Sequence, residues 1–187
     1  TTAPGGDNSG NDNCYGLDVD SSGNIYCTGY TAGAMGEAGG GSNDVLVVKL
    51  DSAGDLTWLT QLGAVTVAPG GDNSGSDHCS EVTVDSVGNV YCVGGTNGSI
   101  GEAGGGSTDT FAMKLNSDGD LIWLTQLGAS TTAVGGDNSG ADACADITID
   151  SSSNVYCAGQ SSGAMGEAHG GGANDIFIMR LSPNGTF

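Results

Sequence analysis

Six cysteines, placed in three copies of one motif, offer the clearest chemistry in this chain. Each copy holds two cysteines thirteen positions apart: Cys14 and Cys27, Cys79 and Cys92, and Cys144 and Cys157. Such pairs are typical of disulfides, which persist in oxidising compartments outside the cytoplasm. Zinc is disfavoured because the spacing lacks a CxxC knuckle and the two histidines, His78 and His169, do not recur. We therefore expect a disulfide-bonded protein that is extracellular or displayed at the cell surface.

A second repeated set of side chains offers oxygen ligands for a cation. An Asp-Asn pair and a following Asp recur on a loop rich in Gly and Ser, at Asp7, Asn8, Asp12, Asp72, Asn73, Asp77, Asp137, Asn138 and Asp142. Carboxylate and amide oxygens on a flexible loop suit Ca²⁺. Asx turns that cap a loop explain the same letters without a metal. Calcium binding is therefore an expectation for these residues, with loop capping as the alternative.

Candidates for catalysis are few. Glu37, Glu102 and Glu167 recur and could act with nearby aspartates as the paired carboxylates of a glycosidase. No Ser/His/Asp set can recur when the histidines do not, and no phosphate loop leads into a predicted helix. One active site normally suffices for a protein, so a chemical group copied three times favours binding or assembly. We expect no enzyme, with a secreted hydrolase as the weakest alternative.

The charge balance excludes two classes of partner. The chain has 22 acidic residues against three basic ones, for a net charge of -19 at pH 7. This charge repels nucleic acid and anionic membranes. No apolar run approaches the roughly 18 residues of a membrane span. We therefore expect neither nucleic-acid binding nor membrane insertion.

The whole chain repeats around the cysteine motif. The segment GGDNSG begins at Gly5, Gly70 and Gly135, which gives a period of 65 residues. Only 37% of the residues are hydrophobic and 36 are glycine, which favours small cores, one per repeat, over one large core. We place repeat 1 at residues 1–65, repeat 2 at 66–130 and an incomplete repeat 3 at 131–187.

Each repeat predicts an antiparallel meander of four strands. In the first copy, Thr1–Asn13 reads as a loop, and Leu17–Asp20 and Ile25–Tyr30 form a hairpin. The β-branched run Val45–Leu50 predicts a third strand and Leu56–Leu62 a fourth. This order is the plan of a propeller blade. The predicted fold class is all-β, with three tandem propeller-like blades of about 65 residues and no last strand in the third.

The hairpin turn between the first two strands needs a residue with positive φ. Gly23 and Gly88 suit that position in the first two copies. Ser153 stands there in the third copy, so we expect that turn to be strained or reshaped.

The strand pairing leaves two disulfide patterns open. If Leu17 faces Cys27, a regular strand puts Cys14 about 10 Å away, beyond the reach of about 7 Å between bridged Cα atoms. A bulge near Tyr15 and Gly16 would allow pairing within a repeat, which equal stoichiometry favours. Otherwise neighbouring repeats are joined, Cys27 to Cys79 and Cys92 to Cys144.

The order of motifs resembles a known repeat family. Three motifs follow one another: W-x-x-Q-L-G at Trp58 to Gly63, V-x-V-D-S-x-G-N-V-Y-x-x-G at Val82 to Gly94, and D-x-x-x-x-K-L-x-x-x-G-D-L at Asp109 to Leu121. They resemble the SBBP-type β-propeller repeat of large secreted and surface proteins. The resemblance implies a blade fold and says little about function, because that family is defined by repeats and not by an active site. The paired cysteines and the long Gly-rich loops depart from its usual pattern.

The third copy predicts an open sheet edge. It stops at Phe187, the equivalent of Leu56, so it lacks the strand that carries Trp58. An unpaired edge is a site for strand addition, and propellers close with four to eight blades. The alternative is that the sequence is a window of a longer array. The residues of the predicted assembly edge are Ile176, Phe177, Ile178, Met179 and Leu181.

These features predict a non-enzymatic structural repeat protein, stabilised by disulfides and Ca²⁺, whose copies join head to tail into a filament or a larger propeller. The alternative is a multivalent carbohydrate-binding module with weak sites near Trp58 and Trp123, although such tryptophans are more often core. Two sequons, at Asn97 and Asn184, could carry glycans in a glycosylating host.

Overall fold

The protein, seen in a computed structural model, is built from β-strands. The structure describes residues 9–36, 38–39, 41–63, 75–101, 104, 107–127, 140–164 and 172–187. None of the described segments forms a helix long and apolar enough to cross a membrane. The described strands are β1 (Asp12–Val19), β2 (Ile25–Thr31), β3 (Asp44–Leu50), β4 (Leu56–Leu62), β5 (Asp77–Val84), β6 (Val90–Thr96), β7 (Asp109–Leu115), β8 (Leu121–Gln126), β9 (Asp142–Ile149), β10 (Val155–Ser161) and β11 (Asp175–Leu181).

The strands form three antiparallel sheets, which we call blades. Blade 1 has the order β1-β2-β3-β4, blade 2 the order β5-β6-β7-β8, and blade 3 the order β9-β10-β11. The predicted all-β class and the succession of meanders are confirmed. The first strand is longer than predicted, because Asp12 and Asn13 pair with Thr31 and Tyr30 and so belong to β1 instead of a loop.

A bulge in the first strand of each blade brings the cysteines together. In blade 1, Cys14 pairs with Gly29 but Leu17 pairs with Cys27, so the register shifts between Cys14 and Gly16. The extra residue shortens the path along the strand, and the Cα atoms of Cys14 and Cys27 lie 5.9 Å apart. The disulfides close within each blade, as Cys14–Cys27, Cys79–Cys92 and Cys144–Cys157.

The blades pack face to face. We call the surface of a blade that meets the preceding blade its front face, and the opposite surface its back face. The core between blades 1 and 2 joins back-face residues Tyr26, Val45, Val47 and Leu62 to front-face residues Cys79, Val82, Val90, Cys92, Phe111, Met113 and Leu115. The core between blades 2 and 3 joins Tyr91, Val93, Ala112 and Leu127 to Cys144, Ile147, Val155, Cys157, Met179 and Leu181. Two of the disulfides are therefore part of the packing between blades.

A tryptophan contact fastens each blade to the next. Trp58 of β4 donates its indole N–H to the carbonyl oxygen of Ser117 at 2.9 Å, in the turn between β7 and β8. Thr60 donates its hydroxyl to the carbonyl oxygen of Gly119 in the same turn, at 2.7 Å. The second junction repeats both bonds, from Trp123 to Pro183 and from Thr125 to Gly185. Each contact joins residues about one repeat apart in sequence, so it exists only where two blades meet.

We predict that Gly119→Ala destabilises the protein more than Gly54→Ala does. Both glycines have positive φ, +88° and +90°, so alanine costs about 1 kcal/mol at either position. A methyl group on Gly119 would lie 2.9 Å from the Trp58 ring, whereas nothing lies within 4 Å of one on Gly54. Displacing the ring should add about 1–2 kcal/mol. Urea unfolding measures both losses, and equal values would contradict the proposed role of the tryptophan contact.

Candidate functional site

The hairpin turn of each blade is organised by one carboxylate. In blade 2, Asp85 Oδ1 accepts hydrogen bonds from the backbone N–H of Val87 (3.0 Å) and Asn89 (2.9 Å). Its Oδ2 accepts from Asn89 Nδ2 at 2.7 Å and from the Tyr91 hydroxyl at 3.1 Å. Asp20 and Asp150 make the same four bonds in blades 1 and 3. This repeated aspartate is therefore occupied in holding the turn.

The hydrogen bonds stabilise the charged form of these aspartates. Burial raises the pKa of the Asp20 carboxyl, but bonds from Asn24, Tyr26 and the Ser22 N–H outweigh it and lower the pKa to about 2. Bonds from Asn154 lead the set that lowers the pKa of Asp150 to about 2. The pKa of Asp85 is lowered in the same way against the opposing effect of burial. We expected the third turn to be either strained or reshaped, because Ser153 replaces a glycine there. It is strained: Ser153 adopts a φ of 60°, a conformation that residues other than glycine rarely take.

A different set of aspartates lies buried where the blades meet. Asp77 is 0% exposed, and its backbone N–H donates to the carbonyl oxygen of Asn43 in the preceding blade at 2.9 Å. Asp44, 2% exposed, accepts a hydrogen bond from Gln61 Nε2 at 2.7 Å. At the second junction Asp142, Asp109 and Gln126 are arranged in the same way. Neither carboxylate oxygen of Asp77 or Asp142 meets a well-aligned hydrogen-bond donor among the described residues.

Burial and charge repulsion disfavour the ionised form of these junction aspartates. Burial, together with the neighbouring Asp44 carboxylate, raises the pKa of Asp77 to about 6, although the nearby Thr96 hydroxyl acts in the opposite direction. Burial and the Asp109 charge raise the pKa of Asp142. His78, next in sequence to Asp77, has its pKa lowered by burial and is neutral at pH 7. The junction therefore concentrates negative charge that no neighbouring histidine offsets.

The structure describes only part of the predicted calcium set. Asp7, Asn8, Asp72, Asn73, Asp137 and Asn138 lie outside the described residues, as do Glu37, Glu102 and Glu167. Asp12, Asp77 and Asp142 begin β1, β5 and β9. The described residues contain no group of three or more His, Cys, Asp or Glu that could hold a metal ion. Calcium binding by these loops thus stays a prediction.

Sequence reasoning missed Asp44 and Asp109, the partners of the junction aspartates. A signal was present, because an aspartate stands at the start of the third strand in every copy, at Asp44, Asp109 and Asp175. A carboxylate at the start of an apolar strand looks like a turn residue until the neighbouring blade is placed over it.

The two ends of the array expose apolar surface that is buried at the internal junctions. On the front face of blade 1, Leu17 is 63% exposed, whereas its counterparts Val82 and Ile147 are buried. On the back face of blade 3, Ile176 is 91% and Ile178 77% exposed, whereas the equivalent residues of blades 1 and 2 are fully buried: Val45, Val47, Thr110 and Ala112.

The predicted assembly edge is divided by this packing. The strand β11 lies at the edge of its sheet, as expected from its missing neighbour. Only Ile176 and Ile178 point their side chains into solvent, and Phe177 is half-buried. Met179 and Leu181 are buried against blade 2, because alternate residues of a strand face opposite sides of the sheet.

The other predicted sites are placed as follows. Trp58 and Trp123 are half-buried and bonded to the next blade, so they are contacts between blades and not free platforms for sugars. Asn97 is exposed and accepts a hydrogen bond from the Thr108 hydroxyl at 2.8 Å. Asn184 is exposed in the turn that follows β11.

We predict that Asp85→Ala lowers the free energy of unfolding at pH 7 by about 2 kcal/mol, because it removes the charged acceptor that holds the turn. Asp118→Ala, at an exposed turn position, is the control. Since the pKa of Asp85 is lowered in the folded state, its contribution is fully present above the ordinary aspartate pKa of about 4 and is lost as the pH falls through the lowered folded-state pKa. Urea unfolding at several pH values tests this. A difference between wild type and Asp85→Ala that does not shrink as the pH is lowered below about 4 would contradict it.

Comparison with known proteins places the chain in a family. The SBBP model, described as a beta-propeller repeat, matches residues 6–34, 57–102 and 122–164, more than half of the chain. A search of curated proteins finds no match. One similar solved structure is the Hadza microbial sialidase Hz136, with a TM-score of 0.55 and 11% identity, over 91% of this chain and 35% of that one. At this identity the likeness concerns the fold alone, and the chain spans about a third of that protein's length. The chain belongs to the SBBP β-propeller repeat family.

Proposed function

We propose that this protein is a non-enzymatic structural repeat protein of the cell exterior, whose copies associate head to tail through their blade faces. One observation carries the proposal: each end of the array exposes the surface that both internal junctions bury. The occupant we assign to each exposed face is the opposite face of a second copy. The alternatives are strand addition at β11 and a further blade of a longer array.

The back face of blade 3 has the features of a buried blade face. Ile176 and Ile178 occupy the positions that Val45 and Val47 fill at the first junction, where both valines are fully buried. Two isoleucines exposed side by side on one strand are unusual for a solvent-facing surface. Covering them with a front face would reproduce packing already present twice in the molecule.

The front face of blade 1 is the complementary surface. Leu17 and Val19 are mostly exposed, whereas the equivalent residues of blades 2 and 3 face the preceding blade. The described part of blade 3 has three strands. The contact that we propose between copies is therefore argued from the apolar faces and not from a tryptophan contact.

Charge sets the conditions for association. Two copies that each carry a net charge of -19 repel one another at low ionic strength. Salt screens this repulsion, since the Debye length falls from about 30 Å at 0.01 M to about 10 Å at 0.1 M. Association driven by apolar faces should therefore strengthen with added salt, whereas association driven by ion pairs would weaken.

The repeated polar groups make hydrogen bonds that hold the fold together, which supports a structural protein over an enzyme. The turn aspartates accept hydrogen bonds from the backbone N–H groups of their turns, and the indole N–H groups donate to carbonyl oxygens of the next blade. The disulfides support an extracellular location for the protein, because disulfides persist in oxidising compartments.

A multivalent ligand-binding module is the second candidate. It is favoured by a cleft of about 230 Å³ between the hairpin turns of blades 1 and 2, lined by Asp20, Asn24, Lys49, Asp85 and Ser117 among others. These polar groups could bind sugar hydroxyls. Glycan-array binding that is lost in Lys49→Ala would support this candidate.

We predict that the double variant Ile176→Asp/Ile178→Asp stays monomeric where the wild type associates. Sedimentation velocity over a range of concentrations in 0.5 M NaCl measures the difference. The control is Val87→Asp/Ile122→Asp, which adds the same charge at two exposed apolar residues away from the end faces. A wild type that is monomeric throughout, or a control that loses association equally, would overturn the proposal.

Mixing variants separates face packing from strand addition. Leu17→Asp/Val19→Asp blocks the front face and leaves the back face intact, and the β11 double variant does the reverse. Each variant alone should be monomeric, and an equimolar mixture should form dimers and nothing larger, because only one pair of intact faces can meet. A mixture that remains monomeric would contradict head-to-tail docking.

A further inference from the structure

Each internal junction buries two carboxylates, one of which has no well-aligned hydrogen-bond donor among the described residues. Asp44 and Asp77 lie at the junction of blades 1 and 2, and Asp109 and Asp142 at the junction of blades 2 and 3. We propose that each pair binds one divalent cation, Ca²⁺ by its ligand chemistry, so that the three blades hold two ions. The proposal is independent of assembly between copies, because both sites lie within one chain.

The first argument is the pair of unpartnered side chains. Asp77 and Asp142 are fully buried, yet none of their four carboxylate oxygens has a well-aligned hydrogen-bond donor among the described residues. Buried polar atoms in native proteins are nearly always satisfied, and an exception requires an explanation such as an ion. The same unsatisfied carboxylate occurs at the same position of two junctions, so it is a feature of the repeat and not an accident of one site.

The second argument is charge. The three basic residues of the chain are engaged elsewhere. Lys49 and Lys114 lie over the rings of Tyr26 and Tyr91, with Nζ 5.3 and 5.0 Å from the ring centroids, and Arg180 donates to Asn154 Oδ1 at 2.9 Å. None of these three side chains therefore offsets the buried charge of Asp77 or Asp142. Burying a carboxylate without a compensating charge is costly, and a bound cation removes that cost.

The third argument is the type of donor. Asp77 offers two oxygens, Asp44 shares its carboxylate with Gln61, and the Thr96 hydroxyl lies beside Asp77. Oxygen donors suit Ca²⁺ and Mg²⁺, and Ca²⁺ accepts the irregular geometry of such a set with water completing it. Two carboxylates give a modest negative charge at the site, as in extracellular modules that bind Ca²⁺ at about 10⁻⁴–10⁻³ M.

Blade 1 provides an internal comparison. Asp12 is the counterpart of Asp77 and Asp142, but it lies on the uncovered front face of blade 1 and is exposed. Its Oδ1 accepts a hydrogen bond from the Thr31 hydroxyl at 2.6 Å. Thr96 and Ser161 occupy the position of Thr31 in blades 2 and 3, where they lie beside Asp77 and Asp142 without making a well-aligned hydrogen bond to either carboxylate. If copies dock as proposed above, Asp175 of one copy would meet Asp12 of the next and form a third site.

The test is the stoichiometry of Ca²⁺ binding, measured by equilibrium dialysis in 0.15 M NaCl on the Ile176→Asp/Ile178→Asp background, which keeps copies apart. We expect two saturable sites per chain, one site in Asp77→Asn or Asp142→Asn, and none in the double variant. Asp118→Asn is the matched control, because it removes the same charge from an exposed turn and should keep both sites.

Thermal unfolding supplies the second readout. Millimolar Ca²⁺ should raise the melting temperature of the background protein and of Asp118→Asn, and should leave the Asp77→Asn/Asp142→Asn double variant unchanged. Na⁺ at matched ionic strength controls for screening of the surface charge. Absence of saturable binding, or two sites retained in the double variant, would overturn the cation sites while leaving head-to-tail docking untouched.

Discussion

The packing of one blade on the next is the interaction on which the rest of the structure depends. A sheet of four short strands has two apolar faces and cannot bury either by itself. Here Val45 and Val47 are buried in a core that they share with residues of the following blade, Phe111 and Met113 among them. Two of the disulfides, the tryptophan contact and the junction aspartates take their environment from this packing, so each of them is a property of two blades and not of one repeat.

Glycine content explains why the junctions need reinforcement. With 36 glycines the unfolded chain has unusual conformational freedom, and ordering it is costly. A disulfide that closes a loop of thirteen residues offsets about 3 kcal/mol of that cost in each blade. Cys79 and Cys92 also fill the junction core, so one bond restrains the unfolded chain and adds to packing in the folded one.

The sequence predicted the features that depend on residues close to one another in the chain. Alternation of apolar residues located the strands, and the reach of a disulfide pointed to the bulge between Cys14 and Gly16. Features that depend on the next blade could not be found this way. Met179 and Leu181 were predicted to belong to an exposed edge but are buried by blade 2. Asp44 was not singled out, because only the placement of the next blade brings Asp77 close to it.

The stability of each blade also depends on how many junctions it makes. In a repeat array each internal blade is stabilised by two junctions, whereas an end blade has one. Blade 1 keeps its tryptophan strand and fastens it to the turn of blade 2, but blade 3 only receives such a contact, through Pro183 and Gly185. Ile176 and Ile178 are the exposed counterparts of residues that the internal junctions bury. Covering them, with a further blade or with the front face of a second copy, would give blade 3 the second junction that stabilises blade 2.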